Sequence, residues 1–195
     1  MTAISPLESI HKKGLFGDHQ KKDETELLEI SEIKNLIIVQ LLQYKKSKIE
    51  LKNIKINNLE LPKENSTVVA NNDTRILWSS PRTWLIISHE QNIFEEVNKN
   101  CTEDNFAITD ISHSRAVIKI KGTKAREVLK KGCPLNINEI KKNYCAGTIF
   151  NGIAITIDCF DDRPDTFNLL SLRSFGESFY HHITDSSLEF GYIGK

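Results

Sequence analysis

Asp110, Ser112 and His113 are the residue types of a nucleophile, its base and an orienting acid. Their spacing argues against that use. Neighbours at a strand end point to opposite faces, so three such side chains do not converge on one atom. The expectation is a turn held by Asp and Ser hydrogen bonds. His181 and His182 are adjacent on a helix pattern, where side chains diverge by about 100°, so they are not a metal pair of the i, i+4 kind. One buried and one exposed histidine are expected. Asp161-Asp162, followed by Arg163-Pro164-Asp165, is expected to be solvated turn chemistry rather than an acid/base couple. Cys101, Cys133, Cys145 and Cys159 include no pair at the short spacing of metal or redox motifs, and are expected buried and reduced. No glycine-rich dinucleotide or phosphate-loop pattern is present. Arg173, beside Ser174 and Phe175, is placed either to anchor a partner's carboxylate bidentately or to form a local salt bridge. Catalytic, cofactor-binding and metal-ligating residues are therefore expected to be absent.

The elements that position these residues centre on Phe106 to Leu135. Ala116, Ile118 and Ile120 alternate with Val117, Lys119 and Lys121, the period of a half-buried strand. Gly122 ends it. From Thr123, a candidate N-cap, Ala125, Val128 and Leu129 share one helical side until Gly132 and Pro134 stop the run. Upstream, Asn35 to Gln43 reads as a strand covered on both faces. Ser47 to Glu50 is a capping-box pattern that predicts a helix from Lys48 to about Asn58, although Ile49, Leu51, Ile54 and Ile56 are ambiguous between helix and strand. A hairpin follows, Arg75 to Trp78 and Thr83 to Ile87, turning at Ser79 to Arg82. Ser88 to Gln91 is a second capping-box pattern before a helix ending near Asn100. Downstream, Asn151-Gly152 joins two strands, Ile153, Ile155 and Ile157 share a face, and Phe167 to Leu172 is the next strand. Ser174 to Glu177 caps a last helix, with Phe175, Phe179, His182 and Ile183 on one side, and Phe190 to Tyr192 turn away. The order βαββα occurs twice. This predicts an α+β fold of two ferredoxin-like units with packed sheets, residues 26–104 and 105–195 of one domain.

The chain has 195 residues, 39% hydrophobic and 27% charged, enough for one substantial domain or two small ones. Its 26 Lys and Arg balance 26 Asp and Glu, leaving no net field to attract nucleic acid or an anionic membrane. No apolar run is long enough to span a bilayer, and the stretch from Met1 to Ile30 lacks the core of a signal peptide, so a cytoplasmic location is expected. Residues 1–25 carry Leu7, Ile10, Leu15 and Phe16 among charged residues and read as an extended arm, frayed or laid on a partner; Phe16 between Gly14 and Gly17 favours the second.

Three stretches together resemble the gamma subunit family of heterotetrameric sarcosine oxidase. They are LPKENSTVVANNDTRILWSSPRTWLIIS from Leu61, ITDISHSRAVIKIKGTKAREVLKKGCPLNIN from Ile108 and LRSFGESFYHHITD from Leu172. With the hairpin between them, the resemblance covers roughly residues 27–191. It implies a fold like the folate-binding domain of the glycine-cleavage T-protein. It also implies a place beside alpha, beta and delta subunits in a complex that oxidatively demethylates sarcosine to glycine. FAD, FMN, NAD and tetrahydrofolate would be held by those partners and none by this chain. Gly176 stands where the family's motif usually has alanine, and Ser79-Ser80 replaces a glycine-containing turn, which leaves room for a different N-methyl amine. In active transferase relatives, the hairpin after the central helix carries paired acids. FNGIAITIDCF has none at its turn, and Asp158 lies at the far end, so the transfer site reads as lost. A non-catalytic role in assembly follows, with Phe16, Trp78, Trp84 and Arg173 as candidate partner contacts. For the tryptophans, burial in the chain's own core is the stronger alternative. The rival functions are a free-standing folate-dependent aminomethyl- or methyltransferase and an assembly or repair factor of the same fold.

Overall fold

The computed structural model describes residues 5–195. Two strands open the chain, β1 (Gly14–Phe16) and β2 (Leu28–Glu32). The segment around β1 is not a detached arm. Leu7 is fully enclosed, Ile10 and Phe16 pack on the same core, and β1 pairs with the last strand of the chain. Isolated apolar residues such as Leu7 find their partners far along the sequence, which local patterning does not reveal. Gly17 shows how close the approach is: its φ is +69°, and a Cβ there would overlap the Leu188 backbone.

Residues 35–113 then form a unit of their own. It contains β3 (Ile37–Gln43), β4 (Lys55–Ile56), β5 (Leu59–Glu60), β6 (Val68–Ala70), β7 (Thr74–Ser80), β8 (Thr83–Ser88), α1 (Ile93–Asn100) and β9 (Phe106–Asp110). The sheet order is β6-β7-β8-β3-β9, with β4-β5 a separate small hairpin. The helix expected from Lys48 to Asn58 is absent. In its place, a single 3-10 turn at Leu51–Asn53 leads into β4, and Asn57 and Asn58, at φ +47° and +62°, make the tight turn to β5. β-branched Ile54, in extended backbone before β4, and Ile56, within it, are both buried, and two asparagines tolerate the left-handed conformation a two-residue hairpin requires. Ser47 accepts the Ile49 N–H at 3.3 Å, a local turn rather than a helix cap. The first of the two βαββα repeats therefore lacks its first helix. Ser88 is likewise no cap. It ends β8, buried, sharing a 2.8 Å hydrogen bond with the Thr74 hydroxyl, and α1 starts after Asn92.

The chain re-enters the first unit at Ser114. There follow β10 (Arg115–Lys121), α2 (Ala125–Lys130), β11 (Cys145–Phe150), β12 (Ile153–Asp162), β13 (Asp165–Leu172), α3 (Gly176–Ser187) and β14 (Tyr192–Gly194). The sheet order is β1-β14-β2-β10-β13-β12-β11, antiparallel except where β14 runs parallel to β2. Asn151 and Gly152, at φ +46° and +83°, form the expected two-residue turn. Ala125, Val128 and Leu129 of α2 and Phe179 and Ile183 of α3 bury against Ile118, Ile120, Ile155, Ile157, Phe167 and Leu169 of the sheet. Three expectations fail at the end of the chain. Ser174 lies within a 3-10 turn and does not cap α3, whose start has no side-chain cap hydrogen bond. Phe175 is 49% exposed, because a 3-10 turn at Arg173–Phe175 precedes α3 and shifts it off the buried side. Residues 192–194 do not turn away but wedge between β1 and β2. The boundary near residue 104 also moves. Phe106–Asp110 pairs with β3, so residues 35–113 form one unit and residues 5–34 with 114–195 the other.

Candidate functional site

The residues with catalytic side chains are placed as local structure. Asp110 Oδ1 accepts the Ser112 N–H at 2.9 Å and the Ser112 hydroxyl at 2.5 Å, while Ser112 Oγ accepts the Ile38 N–H at 2.9 Å. Ser112 is thereby committed to tying a turn to β3, and His113 is exposed. Asp161 Oδ1 accepts the N–H groups of Asp162 and Arg163, and its other oxygen takes Lys142 Nζ at 3.3 Å. The Asp162 N–H above all holds the Asp161 carboxyl below its usual range, which suits a turn anchor and not a proton donor. His181 is exposed and His182 half-buried, so the expected fully buried histidine is not found. All four cysteines are buried as free thiols, and burial pushes Cys101 and Cys159 up to about 12. Thiols so poised are poor nucleophiles at neutral pH. Among the described residues no group of three or more His, Cys, Asp or Glu side chains is arranged to hold a metal.

One buried polar pair lies on β12 and β13. Asp158 is enclosed and takes Asn168 Nδ2 at 3.3 Å, its partner in the strand register. Asp158 thus sits within the ladder rather than at the hairpin's Asn151-Gly152 turn.

A cleft of about 290 Å³ has no counterpart in the sequence reading. Lys12, Phe16, Tyr180, His181, Thr184 and Tyr192 line it, so it exists only because residues 9–16 dock beside α3. His11 Nδ1 and Tyr180 Oη lie 2.8 Å apart, and Phe16 stacks on Tyr192 with ring centroids 5.0 Å apart. Burial first, and the neighbouring Tyr192 second, push the Tyr180 phenol up to about 12, so it stays protonated at neutral pH and serves as a hydrogen-bonding group. The signal that could have found this cleft is the pairing of Gly14–Phe16 with Tyr192–Gly194, two short stretches near opposite ends of the chain.

The candidate contact residues lie apart from one another. Trp84 is 2% exposed, its Nε1 donating to the Pro62 carbonyl at 2.8 Å, so it offers no surface to a partner. Trp78, Phe16 and Arg173 are half-buried. Sequence reasoning passed over Arg115, whose guanidinium is half-buried and donates to the Ser114 carbonyl at 3.3 Å and hydroxyl at 3.0 Å. Contrast Arg126, which donates to Asp165 at 2.8 Å and to the carbonyls of Ile137 and Ile140.

A mixed α+β chain is thus the class to be placed. Its fold is similar to part of aminomethyltransferase T of the glycine cleavage system: the Bartonella henselae structure matches with a TM-score of 0.60 at 12% identity, over 82% of this chain and 46% of that one. A chain of the heterotetrameric sarcosine oxidase from Corynebacterium sp. U-96, solved with pyrrole 2-carboxylate, matches with a TM-score of 0.78 at 20% identity, over 86% and 87%. The model of the sarcosine oxidase, gamma subunit family matches residues 53–189, and the chain belongs to that family. A curated relative, sarcosine oxidase subunit gamma of Corynebacterium sp. (strain U-96), is 24% identical over 120 residues. The match takes in 60% of this chain and spans 58% of the length of that relative. No helix among the described residues is long and apolar enough to cross a membrane.

Proposed function

We propose that this chain is a non-catalytic gamma subunit of a sarcosine-oxidase-type complex. The observation that carries the reading is the family match over residues 53–189. Two features of the residues support it. Ser112, between Asp110 and His113, is committed to a turn, and the acids of the β12–β13 connection are anchors of that connection. Shape and surface chemistry are then what the chain contributes. In this reading the partners are the alpha, beta and delta subunits, and FAD, FMN, NAD and tetrahydrofolate reside in them. The reaction of the whole is oxidative demethylation of sarcosine or a related N-methyl amine to the free amine, in the cytoplasm. Trp78, Phe16 and Arg173 are proposed among the contact residues. The finer picture of ferredoxin-like units is approached over residues 115–187, whose order βαβββα has one strand more than βαββα, and less so over residues 35–113, which hold one α-helix.

Co-expression with the larger chains tests the assignment. Affinity purification through this chain is expected to bring down a flavin-containing partner in fixed stoichiometry. A stable monomer that recovers no flavin would reject it. Calorimetry with tetrahydrofolate separates the rival transferase, since the isolated chain is expected to show no heat of binding and micromolar affinity would favour transfer chemistry.

A further inference from the structure

Arg115 opens β10 and lies opposite Leu172, the last residue of β13. Side chains of directly opposed strand residues share a face, with Cβ atoms about 4.5–5.5 Å apart. The turn Arg173–Phe175 follows at once, and Gly176 is packed so closely that a Cβ there would meet the Ala116 Cβ at 3.0 Å. Arg115 and Leu172 therefore lie side by side at one end of the two central strands of the seven-stranded sheet, and the turn that carries Phe175 leaves from that same end. Leu172 is 42% and Phe175 49% exposed, two of the few large apolar side chains left open to water.

At this end of the strands the charge is unbalanced. A guanidinium carries five donors, and Arg115 uses only one nitrogen, on two oxygens of its own neighbour Ser114. No carboxylate among the described residues pairs with it. Burial lowers its pKa, and no acid acts in the opposite direction. A partly desolvated cation without a counter-ion is a cost to the isolated chain that an incoming anion offsets. Planar, bidentate pairing makes a carboxylate the matching group, and an arginine flanked by exposed apolar and aromatic side chains has the composition of an interface hot spot.

We infer that Arg115, flanked by Leu172 and Phe175, is the docking point for an acidic side chain on an apolar segment of a larger oxidase subunit. The inference rests on the reading of the chain as an oxidase subunit and adds to it the place and the chemistry of contact.

The test is recovery of flavin per mole of this chain after co-expression with the larger chains, at about 0.15 M salt and above. Arg115→Glu is expected to lower recovery at least about tenfold, as loss of a desolvated charge pair does. Arg115→Lys should retain an intermediate level, and Phe175→Ala a reduced one. Arg115→Leu in the isolated chain should leave its melting temperature unchanged or raised, an outcome a purely structural arginine would not give. Should Arg115→Glu fail to fold, Arg115→Gln takes its place in the same measurement. Recovery within about twofold of the parent chain, for a folded variant, overturns the inference while leaving the oxidase assignment standing. So does a homodimer that Arg115→Glu splits without changing flavin recovery. If the parent chain itself recovers no flavin, the oxidase reading falls and the inference with it.

Discussion

The sheet of residues 35–113 and the sheet shared by residues 5–34 and 114–195 are closed in opposite ways. In the first, β6, β7 and β8 succeed one another as hairpins, and β3 and β9 lie beside them within the same continuous stretch. In the second, β14 sits between β1 and β2, so strands from the two flanks of the chain must meet before the sheet is complete. Their polar interiors differ as well. In the inserted unit, Asn57, Thr74, Ser88 and Glu90 form a linked set of hydrogen bonds. In the other, the Ser171 hydroxyl and the Asn168 carbonyl oxygen are buried without a protein partner. One unit is locally specified and polar-satisfied. The other carries the long-range closure, the cleft, and the unpaired arginine, which teaches that the features open to a partner cluster where sequence-local specification is weakest.

Removing β14 should have the largest effect. A chain ending after Gly191 is expected to lose hydrogen-exchange protection in β1 and β2 while β7 and β8 stay protected; equal loss in both sheets would erase the contrast. Next comes Trp84→Ala, which empties the core of the inserted unit and strands the Pro62 carbonyl. A loss of about 3–5 kcal/mol in urea unfolding is expected. Smaller is the pH effect of the two high thiols, one in each unit. Cys101 and Cys159 bind their protons more tightly when folded, up to about 12 against an ordinary 9.0. The unfolded chain therefore releases protons first, and stability should fall as pH rises from about 9 toward 12. Native iodoacetamide labelling at pH 9 should accordingly be slow at both, and a fast Cys159 alone would mark local opening of its unit. Smallest is Asn58→Gly. It gives the β4–β5 turn the Asn-Gly pair already used at Asn151-Gly152, and a gain of a few tenths of a kcal/mol to about 1 kcal/mol in chemical denaturation is expected.

Much of this architecture is legible where a period is long and its boundaries are marked. Arg115–Lys121, Ala125–Lys130 and the Asn151-Gly152 hairpin emerge from alternation, helical spacing and turn residues alone. Capping-box patterns mislead because serine satisfies nearby N–H groups in turns as readily as at helix starts, as Ser47 and Ser88 both do. Leu7 and Phe16 mislead for another reason: their burial depends on elements near the other end of the sequence, beyond any local period. The turn roles of Asp110, Ser112, Asp161 and Asp162 are readable from spacing and side-chain chemistry. The unpaired state of Arg115 is not, since sequence shows which charges exist and not which of them meet.

The wedged position of β14 also sets an order of events during synthesis. At roughly 5–20 residues per second, a ribosome needs about 4–16 s to travel from His113 to Tyr192. Throughout that interval the nascent inserted unit has all its strands, while β1 and β2 lack the strand that joins them. Leu7 and Phe16 stay uncovered until late, so a chaperone that shields the segment up to Lys34 would act when the chain is most exposed to mispairing.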